Sequence, residues 1–268
     1  FLCALSMLPV SASFAKSPTI EDGVLLVGTD SSFAPFEFLA EDGKNFTGFD
    51  MDLIRAIGKE LGYKVVVQNM GFDATVPALR TGIVDAVIAG MTINEKRKKF
   101  VDFSDPYYTS GLIIMVPSSD TTTKSIKDLE GKKIGVQLGT TGDIYASDYE
   151  GDDAGTTIER YNKGTDAVQA LKQGKVDCVI IDEQPAKAFV EKNSDLKILD
   201  DAFADEEYAI CISKDRSDLT EAFNGAIEEL KADGTLDEIH FKESWLNCLD
   251  YFQFKIQKRK PIVSNTKF

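Results

Sequence analysis

The chain has 268 residues, enough for two compact units or one large one with a real core. Apolar residues make up 43%, aromatic residues 10% and charged residues 28%, the make-up of a globular protein rather than a fibrous or membrane-spanning one. Lys and Arg number 30 against 44 Asp and Glu, a formal net charge of -14, and such an acidic surface repels the backbone of nucleic acid, which is excluded as a partner.

Residues 1–15 carry no charge, end in small residues with Ser13 and Ala15 placed as in a cleavage site, and precede Lys16. They read as part of a secretory signal cut after Ala15, which places the mature protein in the periplasm or otherwise outside the cytoplasm. A strand is expected over 25–30. Asp50 then reads as the N-cap of a helix with apolar Met51, Ile54, Ile57 and Leu61, closed by Gly62, and 65–67 reads as the next strand.

An internal near-repeat follows. Residues 78–88 and 170–180 match at seven of eleven positions, offset by 92 residues. In each copy a helical stretch stops at a glycine, Gly82 or Gly174, and an apolar run continues as a buried parallel strand. Each copy is half of a βαβ crossover, and each has a strand upstream, at 25–30 and at 133–138. The pattern predicts two α/β lobes of similar design. A further amphipathic helix is expected over 219–231, ending near Gly234.

In open α/β sheets ligands collect beyond the carboxyl ends of the strands. At those positions stand Asp30 and Phe33, then Ala89, Gly90 and Thr92, then Gln137, Thr140 and Thr141, and finally Asp182. Arg97 falls in the first turn of a helix starting at Asn94. Taken alone, Arg97 belongs to the run Glu95-Lys96-Arg97-Lys98-Lys99 and reads first as part of a solvated helix face. Asp182 reads equally as a helix cap before Pro185, and Phe33 and Phe72 as core residues.

The single histidine, His240, sits in a charged and apolar helical pattern with no catalytic or metal signature, and there is neither a Cys-x-x-Cys pair nor a phosphate-binding glycine loop. No metal or cofactor is expected. Beyond the signal three cysteines remain, Cys178, Cys211 and Cys248; the first two lie in apolar strand-like runs and read as buried thiols rather than a bridge. From Asn247 to Phe268 five basic residues face one acidic, an atypical C-terminal extension whose purpose is not readable.

Four stretches together resemble the extracytoplasmic polar amino-acid-binding proteins of ATP-binding-cassette importers, solute-binding protein family 3. They are Gly48-Phe49-Asp50-Met51-Asp52-Leu53, the segment from Gly90 to Arg97, the segment from Val101 to Tyr108, and the segment from Gly131 to Thr141. The resemblance implies a type II periplasmic binding fold: two α/β lobes joined by a two-strand hinge, lobe 1 from 22–108 and 209–246, lobe 2 from 109–208. It implies a monomer that closes around an L-amino acid and delivers it to a membrane-embedded permease. Arg97 would take the ligand carboxylate with the N–H groups of Thr92 and Thr141. Asp182 would take the ammonium with the Gly90 carbonyl and the Thr92 hydroxyl. That leaves Asp30 unmatched, so a cationic side chain (arginine, lysine, histidine or ornithine) is expected, its stem between Phe33 and Phe72. Glutamine is the alternative ligand. An exported enzyme such as a dehydratase, or a receptor sensor domain, is the alternative function on the same fold.

Overall fold

The computed structural model describes residues 19–151, 153–200 and 202–246; the expected signal at 1–15, Cys248 and the extension from 247 lie outside them. The first part of the chain runs β1 (Val24–Thr29), β2 (Ser32–Phe33), β3 (Glu37–Leu39), β4 (Phe46–Thr47), α1 (Phe49–Glu60), β5 (Lys64–Asn69), α2 (Phe72–Arg80), β6 (Ala86–Val87), α3 (Glu95–Lys98) and β7 (Val101–Phe103). The middle runs β8 (Tyr108–Pro117), β9 (Lys133–Gln137), α4 (Thr141–Ser147), β10 (Thr157–Tyr161), α5 (Gly164–Lys172), β11 (Cys178–Asp182), α6 (Glu183–Lys192), β12 (Leu196–Ile198) and β13 (Ala204–Tyr208). The chain ends with β14 (Cys211–Ser213), α7 (Ser217–Ala232) and α8 (Thr235–Leu246).

Two mixed sheets result, one in each lobe. The first has the order β5-β1-β6-β14-β7 and the second β10-β9-β11-β8-β12, with β13 also paired to β8. β1 lies parallel to both β5 and β6, and β9 lies parallel to both β10 and β11. The chain passes between the sheets twice, on β8 and back through β13. These two strands pair antiparallel from Tyr108 opposite Tyr208 to Leu112 opposite Ala204.

Strand alternation sets the cores. On β8, Leu112, Ile114 and Val116 face Ile134, Val136 and Ala146, while Ile113 and Met115 face Val168 and Leu171. The first sheet packs Leu25 and Val27 against Leu53, Ile54 and Ile57 of α1 and Phe223 and Ile227 of α7. Each of these aliphatic side chains, fully buried, stabilises the lobe by about 2 kcal/mol.

The repeated unit folds the same way twice. The Ile83 N–H donates to the Ala78 carbonyl and the Lys175 N–H to the Ala170 carbonyl, both at 2.9 Å, across glycines with φ of 69° and 66°. A Cβ in that left-handed conformation is strained, so the glycine is what lets the helix close and the next strand begin. The repeated aspartates do matching work: Asp85 accepts from the Leu26 N–H at 2.9 Å and Asp177 from the Lys133 N–H at 2.8 Å, tying each crossover to the strand it joins.

Asp50 is not the cap of its helix. Gly48 occupies the N-cap position and Asp50 is the second residue of the first turn, fully buried. Its Oδ2 accepts from the Gly90 N–H at 2.8 Å and from the Tyr107 hydroxyl at 2.9 Å, so it braces the loop after β6 rather than the helix end. Cys178 and Cys211 are free and buried, and burial pushes both thiols up to about 12. His240 is half-buried, its ring stacked on Tyr108, and burial lowers its pKa.

Candidate functional site

The carboxyl ends of β1, β6, β9 and β11 converge on one cavity between the two sheets. Asp30, Phe33, Phe72, Ala89, Gly90, Thr92, Arg97, Gln137, Thr140, Thr141 and Asp182 all line it, together with Glu37.

Arg97 is 8% exposed, the opposite of a solvated helix face. Asn94 caps α3 by accepting from the Arg97 N–H at 2.8 Å, which turns the side chain inward. Its Nη1 donates to the Thr92 carbonyl at 2.7 Å, and its Nη2 reaches across to the Gly139 carbonyl of the other lobe at 3.1 Å. The guanidinium also lies 5.3 Å from the centre of the Phe72 ring. Three N–H bonds remain on a fork built for a carboxylate.

Asp182 ends β11 and occupies the N-cap position of α6, yet its side chain makes no cap hydrogen bond. Instead its Oδ1 accepts from the Tyr208 hydroxyl. Burial pushes its pKa to about 7, against the pull of that hydrogen bond and of Arg97. An ammonium placed beside it would restore the ionised form.

Asp30 is buried after β1. Its Oδ1 accepts from the Ser32 hydroxyl at 2.8 Å and its Oδ2 from the Gln137 amide at 2.6 Å, across the lobes. Both donors are neutral, so they orient the carboxylate without cancelling its charge. Burial raises its pKa, and the two hydrogen bonds and the charge of Lys163 oppose the rise. Phe33 lies along the loop after β6: a Cβ on Gly90 would stand 2.6 Å from its ring, and Gly90 has φ of 51°. Only glycine lets this backbone and ring approach so closely. On the facing lobe, Thr140 caps α4 by accepting from the Asp143 N–H at 3.2 Å and donates to the Gln137 carbonyl at 2.8 Å. This places Thr141 at the first helical position, pointing into the cleft.

Sequence reasoning missed two carboxyls. Glu37 lines the cavity and is fully buried, with no hydrogen-bond donor on either carboxyl oxygen among the described residues. It lies beside Asp50, whose Oδ1 likewise has no donor. Burial first, and then the neighbouring Asp50 carboxylate, push the Glu37 pKa well up, while Asp50 rises to about 6 through burial. Burial and their mutual repulsion therefore favour one shared proton on the pair over two ionised carboxylates. Glu206, buried on β13, accepts from the hydroxyls of both Thr92 and Thr141. The Thr92 hydroxyl, with its proton committed there, keeps its lone pairs for an ammonium. Period-2 alternation, which turns Glu206 and Tyr208 to one side of β13, is the signal that could have found Glu206. The acidic run Asp205-Glu206-Glu207 masked it.

Among the described residues no group of His, Cys, Asp and Glu is arranged to hold a metal ion, and no helix is long and apolar enough to cross a membrane.

Residues 25–247 match the bacterial extracellular solute-binding proteins, family 3. The arginine-binding extracellular protein ArtP of Bacillus subtilis is 38% identical over 224 residues, 82% of this chain and 85% of that one. Among solved structures, an ancestral arginine-binding protein bound to arginine has a TM-score of 0.79 at 46% identity, covering 82% of this chain and 97% of that one. An ancestral arginine-binding protein bound to glutamine has a TM-score of 0.78 at 45% identity, covering 83% and 98%. With the match running from the first strand to the last helix, the chain belongs to the bacterial extracellular solute-binding proteins of family 3.

Proposed function

We propose that this protein captures a cationic L-amino acid, arginine foremost, between its two lobes and hands it to a membrane-embedded ABC permease. The observation that carries this reading is the surplus of acid in the cavity. Arg97 and the N–H groups of Thr92 and Thr141 match the ligand carboxylate; Asp182, the Gly90 carbonyl and the Thr92 hydroxyl match the ammonium. Asp30 is then left on the wall, and beside it Glu37, which a bound cation would relieve of the proton it shares with Asp50; Arg97 aside, no cation among the described cavity-lining residues balances them. In a closed cleft, uncompensated carboxylates favour a positive side chain and exclude glutamate or aspartate. Phe33 and Phe72 flank the side-chain stem, and a guanidinium over such a ring gains about 0.5 to 2 kcal/mol.

Glutamine is the second reading, favoured by one contact. Asp30 already accepts from the amide of Gln137, the same chemistry a ligand amide would offer. Catalysis is not part of this reading. Asp182, the cavity-lining carboxyl pushed to about 7, is committed to the ammonium and so is not free to act as a general acid or base.

Under the same reading, residues 1–15 direct export, the chain acts as a monomer, and 22–108 with 209–246 move as one body against 109–208 about β8 and β13. A calorimetric screen of the standard amino acids tests it: arginine, lysine or histidine should bind most tightly and glutamate not at all. Tightest binding of glutamate, or of a purely apolar amino acid, would refute the charge argument.

A further inference from the structure

Glu206 stands on β13, one of the two strands on which the chain crosses between lobes, and is 1% exposed. It is not among the residues that line the cavity. A single oxygen, Oε2, accepts from the Thr92 hydroxyl of one lobe and, at 3.0 Å, from the Thr141 hydroxyl of the other. Two residues further along β13, Tyr208 turns its hydroxyl to Asp182 while its backbone bridges to Thr92. The inward side of this strand is therefore wired to three residues of the binding cavity. Hydroxyls on two bodies reach one carboxylate oxygen only when the bodies are together, so these bonds exist in the closed arrangement and not in an open one.

We propose that Glu206 is a positioning residue, a latch within the hinge that favours lobe closure by accepting from Thr92 and Thr141 without touching the ligand. The inference rests on the ligand-capture reading above. A ligand that binds only the closed form has its apparent affinity scaled by the fraction closed, so a lost latch weakens every ligand by a common factor. A residue that reads the ligand side chain would instead change their ranking.

The test combines arginine and lysine calorimetry with small-angle scattering of the ligand-free protein. Glu206→Ala should weaken both ligands at least tenfold, by the same factor, and expand the ligand-free protein. Glu206→Gln keeps an oxygen that accepts from both threonines but removes the charge near Arg97. It should bring affinity back to within about threefold of wild type. Thr141→Val removes one of the two donors and secures the test if the alanine variant fails to fold. It should give part of the alanine loss, and nothing further when combined with it. The proposal falls if Glu206→Ala binds arginine within twofold of wild type, if its ligand-free scattering is unchanged, or if Glu206→Gln is as weak as alanine. A wild type that binds no amino acid would instead refute the ligand reading, and the scattering comparison would still decide the latch.

Discussion

Glu37→Gln should move stability and binding in opposite directions. In the wild type the Glu37 and Asp50 carboxyls lie side by side with no donor on three of their four oxygens, and burial raises both pKa values. The native state therefore keeps a proton that the unfolded chain releases near the ordinary carboxylate range. With more protons bound in the native than in the unfolded state, stability falls as pH rises above about 4.5, by on the order of 1 kcal/mol per pH unit while the pair holds its proton. The glutamine side chain introduced by Glu37→Gln does not titrate, and its amide supplies the donor that Asp50 Oδ1 lacks. The variant should gain on the wild type as pH rises from 5, by about 1 kcal/mol for each pH unit over which the wild-type pair keeps its proton, which is roughly 2 to 4 °C in melting temperature per unit for a protein of this size. Arginine binding at pH 7 should weaken at least several-fold, because a cationic side chain that draws the shared proton off the wild-type pair gains a carboxylate charge that the amide of the variant never supplies. Ligand-free thermal melts from pH 5 to 8 and calorimetry at pH 7 read both effects. A stability difference that stays flat with pH, or an unchanged arginine affinity, would refute the reasoning.

Asp30→Asn should penalise arginine and lysine at least tenfold more than glutamine, because the amide can still pair with Ser32 and Gln137 but carries no charge; calorimetry giving the reverse order would favour glutamine as the ligand. Arg97→Ala should weaken every amino acid by at least about 2 kcal/mol, since it removes the carboxylate fork and its bridge to the Gly139 carbonyl, and retained affinity would place the carboxylate elsewhere.

Much of the fold is legible because it rests on local rules. Gly82 and Gly174 stop their helices through backbone geometry that glycine alone adopts freely, and the matching aspartates, Asp85 and Asp177, find matching N–H groups. The cavity wall is legible for a related reason: strand ends in a parallel sheet must point there, so the polar residues after β1, β6, β9 and β11 arrive together. What the sequence hides is the partner of a charge. Asp50 has the residue type and position of a helix cap, but Gly90 and Tyr107, distant in sequence, claim its carboxylate. Arg97 sits in a run of five charges and is buried while its neighbours Lys96 and Lys98 are exposed, because Asn94 and the Gly139 carbonyl hold it inward. Glu37 lies between Phe36 and Phe38, where strand alternation would turn a polar side chain to solvent, yet it is fully buried.

These buried carboxyls bear on why the lobes should respond to a cation at all. Asp30, Glu37, Asp50, Asp182 and Glu206 are each raised by desolvation, so the closed protein is least comfortable when all are ionised. Among the described residues Arg97 is the single cation lining the cavity, and two of its N–H groups already face the Thr92 and Gly139 backbone carbonyls rather than this cluster. Under the proposed reading, an amino acid whose own carboxylate occupies Arg97 would bring an ammonium to Asp182, and a cationic side chain would bring a second positive charge to Asp30 and Glu37. Each ionised carboxylate that gains a partner converts a penalty of closure into an attraction across the lobes. On that reading the selectivity for charge and the drive to close would have one electrostatic origin, and a neutral amide such as glutamine would relieve only the part that a hydrogen bond can reach.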